Sequence, residues 1–99
     1  MKCLVIVNPA AGRGRAQAQW GEQARKLKES GAVFDETVTT RPWEASEIAE
    51  REAANYERIV AAGGDGTVHE VVNGLMRAGA TAALGVIPLG SGEDRKSVV

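Results

Sequence analysis

The ten residues from Ala61 to Glu70, AAGGDGTVHE, constrain the fold of this chain more tightly than any other stretch. The apolar run from Arg58 to Ala62 stops at Gly63 and Gly64, and a helical pattern begins almost at once. Val68, Val71, Val72, Leu75 and Met76 recur at the spacing of one apolar helix face. A buried strand must therefore turn within a very short loop into an α-helix. Glycine tolerates positive φ and lets another group come close to the backbone. The first turn of the helix presents unpaired N–H groups and a positive dipole end, which suits a phosphate. Asp65 stands at the same spot. A carboxylate does not attract a bare phosphate, so its presence points to a metal ion or to a hydroxyl proton. The competing structural use is as the N-cap of the helix.

The rest of the chain alternates around this turn. Residues 2–7 form a continuous apolar run, expected as a central strand covered on both faces. Asn8 to Gly14 is a loop, and a helix follows over about 15–30 with Ala16, Trp20, Ala24 and Leu27 on its apolar stripe and Gly31 as its stop. A second strand spans 33–40, and its Asp35, Glu36, Thr37 and Thr39 suit an edge position. The next helix has Thr40 or Arg41 as its cap and Pro42 in its first turn, and it runs to about Tyr56. The third strand is 58–62, its helix continues to about Ala78, and Ala83 to Leu89 forms a fourth strand. This alternation predicts an α/β fold of three layers, α/β/α, with a mostly parallel sheet and right-handed crossovers. Strand polarity then brings the loops after strands one, three and four to one sheet edge, where ligands of such sheets bind.

Composition excludes several alternatives. With 99 residues, one domain at most is expected. The net charge of −1, with acids and bases interspersed, gives no basic face for nucleic acid and no polybasic membrane anchor. The apolar start is too short for a membrane span or a signal-peptide core. A single cysteine, Cys3, allows no intrachain disulfide and suits a reducing cytoplasm.

Each loop carries candidate chemistry. In the first, Asn8 ends a strand with its amide at the ligand edge. Gly12 and Gly14 bare the backbone there, and Arg13 or Arg15 can reach phosphate oxygens. A plain βα turn with solvated arginines is the simpler use. The loop is not a Walker A loop, because no GK[ST] follows, and Gln17 occupies the place of the third glycine of GxGxxG. On the helix after the second loop, Glu70 and Asn73 lie one turn apart and could hydrogen-bond. Gly74 sits inside that helix at a cost of about 1 kcal/mol against Ala, which close packing would explain. Gly90, Ser91 and Gly92 open the third loop.

Gly63-Gly64-Asp65-Gly66-Thr67 followed by Glu70-Val71-Val72-Asn73-Gly74-Leu75 resembles the signature of the diacylglycerol kinase catalytic-domain family, a GGDGT-like loop and then E-V-x-N-G-L. That family includes sphingosine and ceramide kinases and bacterial lipid kinases. The first loop resembles its N-P-x-x-G-x-G segment. Pro88 to Asp94 resembles P-x-G-T-G-N-D, with Ser91 for Thr and Glu93 for Asn, and the likeness weakens after Gly92. NAD kinases and phosphofructokinases share a shorter form of the glycine loop and the same type of N-terminal domain.

The resemblance implies that Asn8, Gly12, Arg13, Gly14, Gly63, Gly64, Gly66, Thr67, Glu70, Gly90, Ser91 and Gly92 build a nucleotide site for ATP. Asp65 would act near Mg²⁺ or as base toward the acceptor hydroxyl. It further implies that residues 1–92 are the nucleotide-binding domain and that 93–99 are an irregular tail. The family's second, mainly β domain, which carries much of the lipid site, would be absent. The chain would then be inactive alone, open to self-association as a homodimer, cytoplasmic, and membrane-peripheral when acting on lipid. Two other functions compete: an NAD kinase-like domain, and a non-catalytic flavodoxin-like binding module.

Overall fold

A computed structural model describes residues 2–90. Ser91, Gly92 and the expected tail lie outside the described residues. The elements are β1 (Cys3–Val7), α1 (Arg15–Glu29), β2 (Asp35–Val38), α2 (Glu44–Glu52), β3 (Arg58–Gly63), α3 (Asp65–Ala78) and β4 (Ala83–Pro88). The strands make one sheet in the order β2-β1-β3-β4, and every neighbouring pair is parallel. This is the expected α/β architecture with helices on both faces.

The connections explain how the layers arise. From β1 the chain moves one way to β2, then jumps back over β1 to β3 and continues to β4. Crossovers of a single hand that travel in opposite directions must put their helices on opposite faces. Accordingly α1 covers one face, and α2 with α3 covers the other. The reversal of direction falls between β1 and β3, whose carboxyl ends carry the first two glycine loops.

The central strands feed two cores by simple alternation. Leu4, Ile6, Ile59 and Ala61 pack with Ala45, Ile48, Ala49, Val71 and Leu75 under α2 and α3. Val5, Val7, Val60 and Ala62 pack with Ala16, Trp20, Ala24 and Leu89 under α1. Trp20 anchors α1: its ring meets Phe34 edge-on at 5.9 Å, and its indole N–H donates to Glu36 at 3.4 Å. On the other face, Gly74 lets α3 close onto α2. A Cβ added there would lie 2.3 Å from the Ser46 carbonyl oxygen. The close packing expected of a glycine in mid-helix is therefore present.

Three sequence expectations need correction. The second helix begins at Glu44, after Pro42, because Trp43 takes a left-handed conformation (φ 69°) that no helix interior accepts. In place of a cap from Thr40 or Arg41, the Glu44 carboxylate reaches back to the Thr40 N–H at 2.6 Å and hydroxyl at 3.1 Å. That helix also ends at Glu52, short of Tyr56, where Asn55 folds back onto Glu52 through both backbone and side chain. Met76 is 73% exposed rather than part of the apolar face, because Val71 and Leu75 carry the contact. The second strand is short but, as expected, lies at the sheet edge with its acids exposed. Among the described residues no helix is long and apolar enough to cross a membrane.

Candidate functional site

The carboxyl edge of the sheet is assembled by hydrogen bonds that continue the strand ladders into the loops. The Asn8 N–H donates to the Ala62 carbonyl at 2.9 Å, and the Leu89 N–H to the Gly63 carbonyl at 2.9 Å. The first and third loops are thereby both registered on the end of β3.

The first loop is wound tightly. Gly12, Arg13 and Gly14 take φ of 62°, 60° and 91°, three left-handed residues in succession. The Ala16 N–H then donates to the Ala11 carbonyl at 3.2 Å, which closes the coil at the start of α1. Arg13 is one of two non-glycine residues with positive φ among those described, and the fold accepts that cost to place its exposed side chain at this edge. Asn8 is fixed at both ends of its amide. Its Oδ1 accepts from the Ala10 N–H at 3.1 Å, and its Nδ2 donates to the Thr67 hydroxyl at 3.1 Å. That second bond ties the first loop to the first turn of α3.

The third loop lies directly on the first. A Cβ on Gly12 would sit 1.9 Å from the Gly90 carbonyl oxygen, and one on Gly90 would sit 2.8 Å from the Gly12 nitrogen. Backbone meets backbone here, so neither position has room for a side chain.

The paired glycines of the second loop serve different ends. A Cβ on Gly63 would lie 2.5 Å from the Thr67 hydroxyl, so packing inside the domain excludes a side chain there. Gly64 is extended, with φ −97°, and a Cβ on it or on Gly66 would meet nothing within 4 Å. Nothing in the fold requires glycine at either position. Both leave the helix start bare on its outer side. Gly64 is also the N-cap of α3, with no side-chain cap bond. Asp65, the first helical residue, is therefore not the cap, and its exposed carboxylate stands beside the uncapped amides. Thr67 is 3% exposed, so its hydroxyl serves to hold Asn8. Asn73 pairs with His69 at 3.2 Å rather than with Glu70.

A cavity of about 480 Å³ opens beside these loops, lined by Asn8, Thr39, Thr40, Arg41, Thr67 and Glu70 among others. Thr39, Thr40 and Arg41 are additions to the residues expected from sequence. They follow β2 on the same edge, as strand polarity could have indicated, but no glycine marks them. Their loop is braced from α2: Arg41 forks onto Glu47, and the Thr40 N–H holds the Glu44 carboxyl below the usual carboxylate range. A larger cavity of about 860 Å³ lies at the opposite end of the sheet, between Lys2, Tyr56 and Ala80. It has no bare helix start, and Glu50 and Glu57 share its lining with Lys2, so its chemistry suits an anion less well.

The edge therefore gathers Asn8, Gly12, Arg13, Gly14, Gly63, Gly64, Asp65, Gly66, Thr67, Glu70 and Gly90. Among the described residues no cluster of three His, Cys, Asp or Glu side chains could hold a metal. The exposed carboxylate of Asp65 fits a Mg²⁺ carried largely by phosphates and water, which is how that ion commonly binds, and the edge does not fit a fully protein-held metal.

The sequence model of the diacylglycerol kinase catalytic domain matches residues 2–99. The chain is 36% identical over 94 residues to a diacylglycerol kinase of Bacillus subtilis (strain 168), covering 94% of this chain and 31% of that protein. A diacylglycerol kinase of Staphylococcus aureus (strain bovine RF122 / ET3-1) is also 36% identical over 94 residues, with 94% and 30% covered. A crystal structure of a diacylglycerol kinase from Bacillus anthracis str. Sterne superposes with a TM-score of 0.77 at 31% identity, covering 90% of this chain and 33% of that one. The chain thus spans about a third of the length of these relatives. Three glycine-bearing loops on one parallel sheet edge, a bare helix start with its acid, and a match over residues 2–99 together make this chain a member of the diacylglycerol kinase catalytic-domain family.

Proposed function

We propose that this chain is the nucleotide-binding part of a lipid kinase that transfers the γ-phosphate of ATP to a lipid hydroxyl, diacylglycerol being the acceptor its relatives' names suggest. The observation that carries the reading is the bare start of α3. Gly64 and Gly66 have no internal reason to be glycine, and they leave the first-turn amides open next to the carboxylate of Asp65.

Phosphoryl transfer needs positioning and charge neutralisation more than covalent chemistry from the protein. The backbone of Gly12 to Gly14, Gly63 to Gly66 and Gly90 lines the phosphates, and Arg13 adds a cation. The family resemblance gives Ser91 and Gly92, which lie outside the described residues, the same role. The cavity between Thr40 and Glu70 takes the nucleoside, its volume lying in the range of small-molecule sites. Mg²⁺, when bound, offsets phosphate charge and is held from the protein side by Asp65. With the metal in place or without it, Asp65 is also the group available to accept the proton of the attacking hydroxyl.

Because the chain spans 31% of the length of a full relative, we assign the acceptor site to the remaining length. Residues 1–92 then serve as a nucleotide domain that binds without turning over, and the whole kinase works in the cytoplasm and at the membrane surface when it meets its lipid acceptor. An NAD kinase-like activity is the rival enzyme reading, and the family match favours the lipid kinase.

Calorimetry of the chain with Mg²⁺ and ATP tests the binding, with heat expected for wild type and a weaker metal dependence for Asp65→Ala. The complete reading frame that contains the chain tests the chemistry. Phosphorylation of diacylglycerol in mixed micelles should fall by about 10²–10⁴ in Asp65→Ala if Asp65 is the base. Unchanged phosphorylation, or turnover of NAD with none of lipid, would overturn the assignment.

A further inference from the structure

We infer that Gln19 is a positioning residue for the phosphate loops, a latch that holds the third loop onto the first. The inference rests on the nucleotide reading above, and it concerns how the site is held in shape.

Among the described residues, the third loop is fixed by the Leu89 N–H bond to Gly63 and by few contacts besides. Leu89 is buried and is the last side-chain anchor after β4 among the described residues. Gly90 has no side chain, takes φ 89°, and lies backbone-to-backbone on Ala11 and Gly12. Its N–H donates to the Oε1 of Gln19 at 2.5 Å, a contact between residues 71 positions apart. Gln19 stands on a rigid support, since Ala16 and Trp20 on the same helix are fully or nearly buried beneath α1. The latch therefore joins the helix that starts in the first loop to the backbone of the third, and the two loops keep their spacing through it. It also consumes no charge. Glutamate would accept the same bond but would add a negative group beside the phosphates.

Two variants separate the latch from general stability. Gln19→Leu removes the acceptor at similar volume, and Gln19→Glu keeps it. The direct readout is the exchange rate of the Gly90 amide, followed by NMR, and the functional readout is the dissociation constant of ADP against that of adenosine. In Gln19→Leu the Gly90 amide should exchange about two- to tenfold faster, the span of one neutral hydrogen bond. ADP should bind several-fold more weakly, with adenosine unchanged. In Gln19→Glu the amide stays protected while ADP alone weakens, through charge.

Unaltered Gly90 exchange in Gln19→Leu would overturn the latch. So would an equal loss for ADP and adenosine, which would mark a general structural effect. If wild type binds neither compound, the nucleotide reading fails and the Gly90 exchange rate alone decides whether Gln19 holds the loop.

Discussion

Two glycines inside helices should respond in opposite directions to the same substitution. Gly21 lies in α1 and Gly74 in α3. In a free helix, Gly→Ala gains about 1 kcal/mol. At Gly21 the added methyl meets nothing within 4 Å, so the full gain is expected. At Gly74 the methyl would stand 2.3 Å from the Ser46 carbonyl oxygen, 2.8 Å from the Ala49 Cβ and 3.0 Å from the Glu50 nitrogen. The first distance is about 1 Å short of the 3.4 Å at which ordinary contact begins, and the obstruction is backbone, which cannot rotate away. A clash this deep against backbone belongs in the upper part of the range for overpacking, about 2–3 kcal/mol, and the helix gain of about 1 kcal/mol offsets part of it. The net expected for Gly74→Ala is a loss of about 1–2 kcal/mol, with α2 displaced from α3. For a domain of this size 1 kcal/mol moves Tm by about 4–8 °C. Thermal unfolding followed by circular dichroism should therefore show Gly21→Ala melting above wild type by roughly that amount and Gly74→Ala melting below it by about 5–15 °C. A Gly74→Ala protein as stable as Gly21→Ala would refute the close α2–α3 contact, and with it the placement of α3.

Three further outcomes follow from the loops and the polar contacts. Gly12→Ala has to fit a Cβ against Gly90 in a left-handed conformation, so it should weaken ADP binding at least tenfold while far-ultraviolet dichroism stays near wild type. Asn8→Ala leaves the buried Thr67 hydroxyl without its donor and should cost about 1–2 kcal/mol in urea unfolding. Asn8→Ala combined with Thr67→Val should cost less than the two single changes added together. Tyr56, the only tyrosine, donates to Asp35 at 2.6 Å, and that bond pushes its pKa up to about 12. The neutral phenol is thus favoured by folding. Its contribution is complete below the ordinary pKa near 10 and is lost as pH rises from there through about 12. Tyrosinate absorbance should titrate near 12 in wild type and nearer the ordinary value of about 10 in Asp35→Asn.

Much of this architecture is legible in the residues because local and long-range signals agree there. β1 and β3 are continuous apolar runs, and each ends at a residue that cannot prolong it, Asn8-Pro9 in one case and Gly63-Gly64 in the other. Parallel polarity then puts their loops together, as Asn8 bonding to both Ala62 and Thr67 attests. The β2–α2 junction is less legible. Pro42 signals a helix start, but the left-handed Trp43 delays it to Glu44, and φ at a tryptophan has no mark in the sequence. Thr40 and Arg41 escape notice for a related reason: they reach the cavity by strand direction alone, with no glycine beside them. Nor does the sequence separate Gly63, which Thr67 excludes from having a side chain, from Gly64, which faces open space. Contacts between distant backbones, such as Gly12 on Gly90 and Gln19 to Gly90, depend on coordinates because no periodicity encodes them.

The central claim is that the glycine edge, and not the larger cavity at the other end of the sheet, receives the phosphates. A titration of the ¹⁵N-labelled chain with ADP and Mg²⁺, followed by amide chemical shifts, tests it most directly. The account predicts that the largest shifts fall on Gly12 to Gly14, Gly64 to Thr67 and Gly90. Shifts concentrated at Lys2, Tyr56 and Ala80, with those glycine amides unmoved, would contradict it.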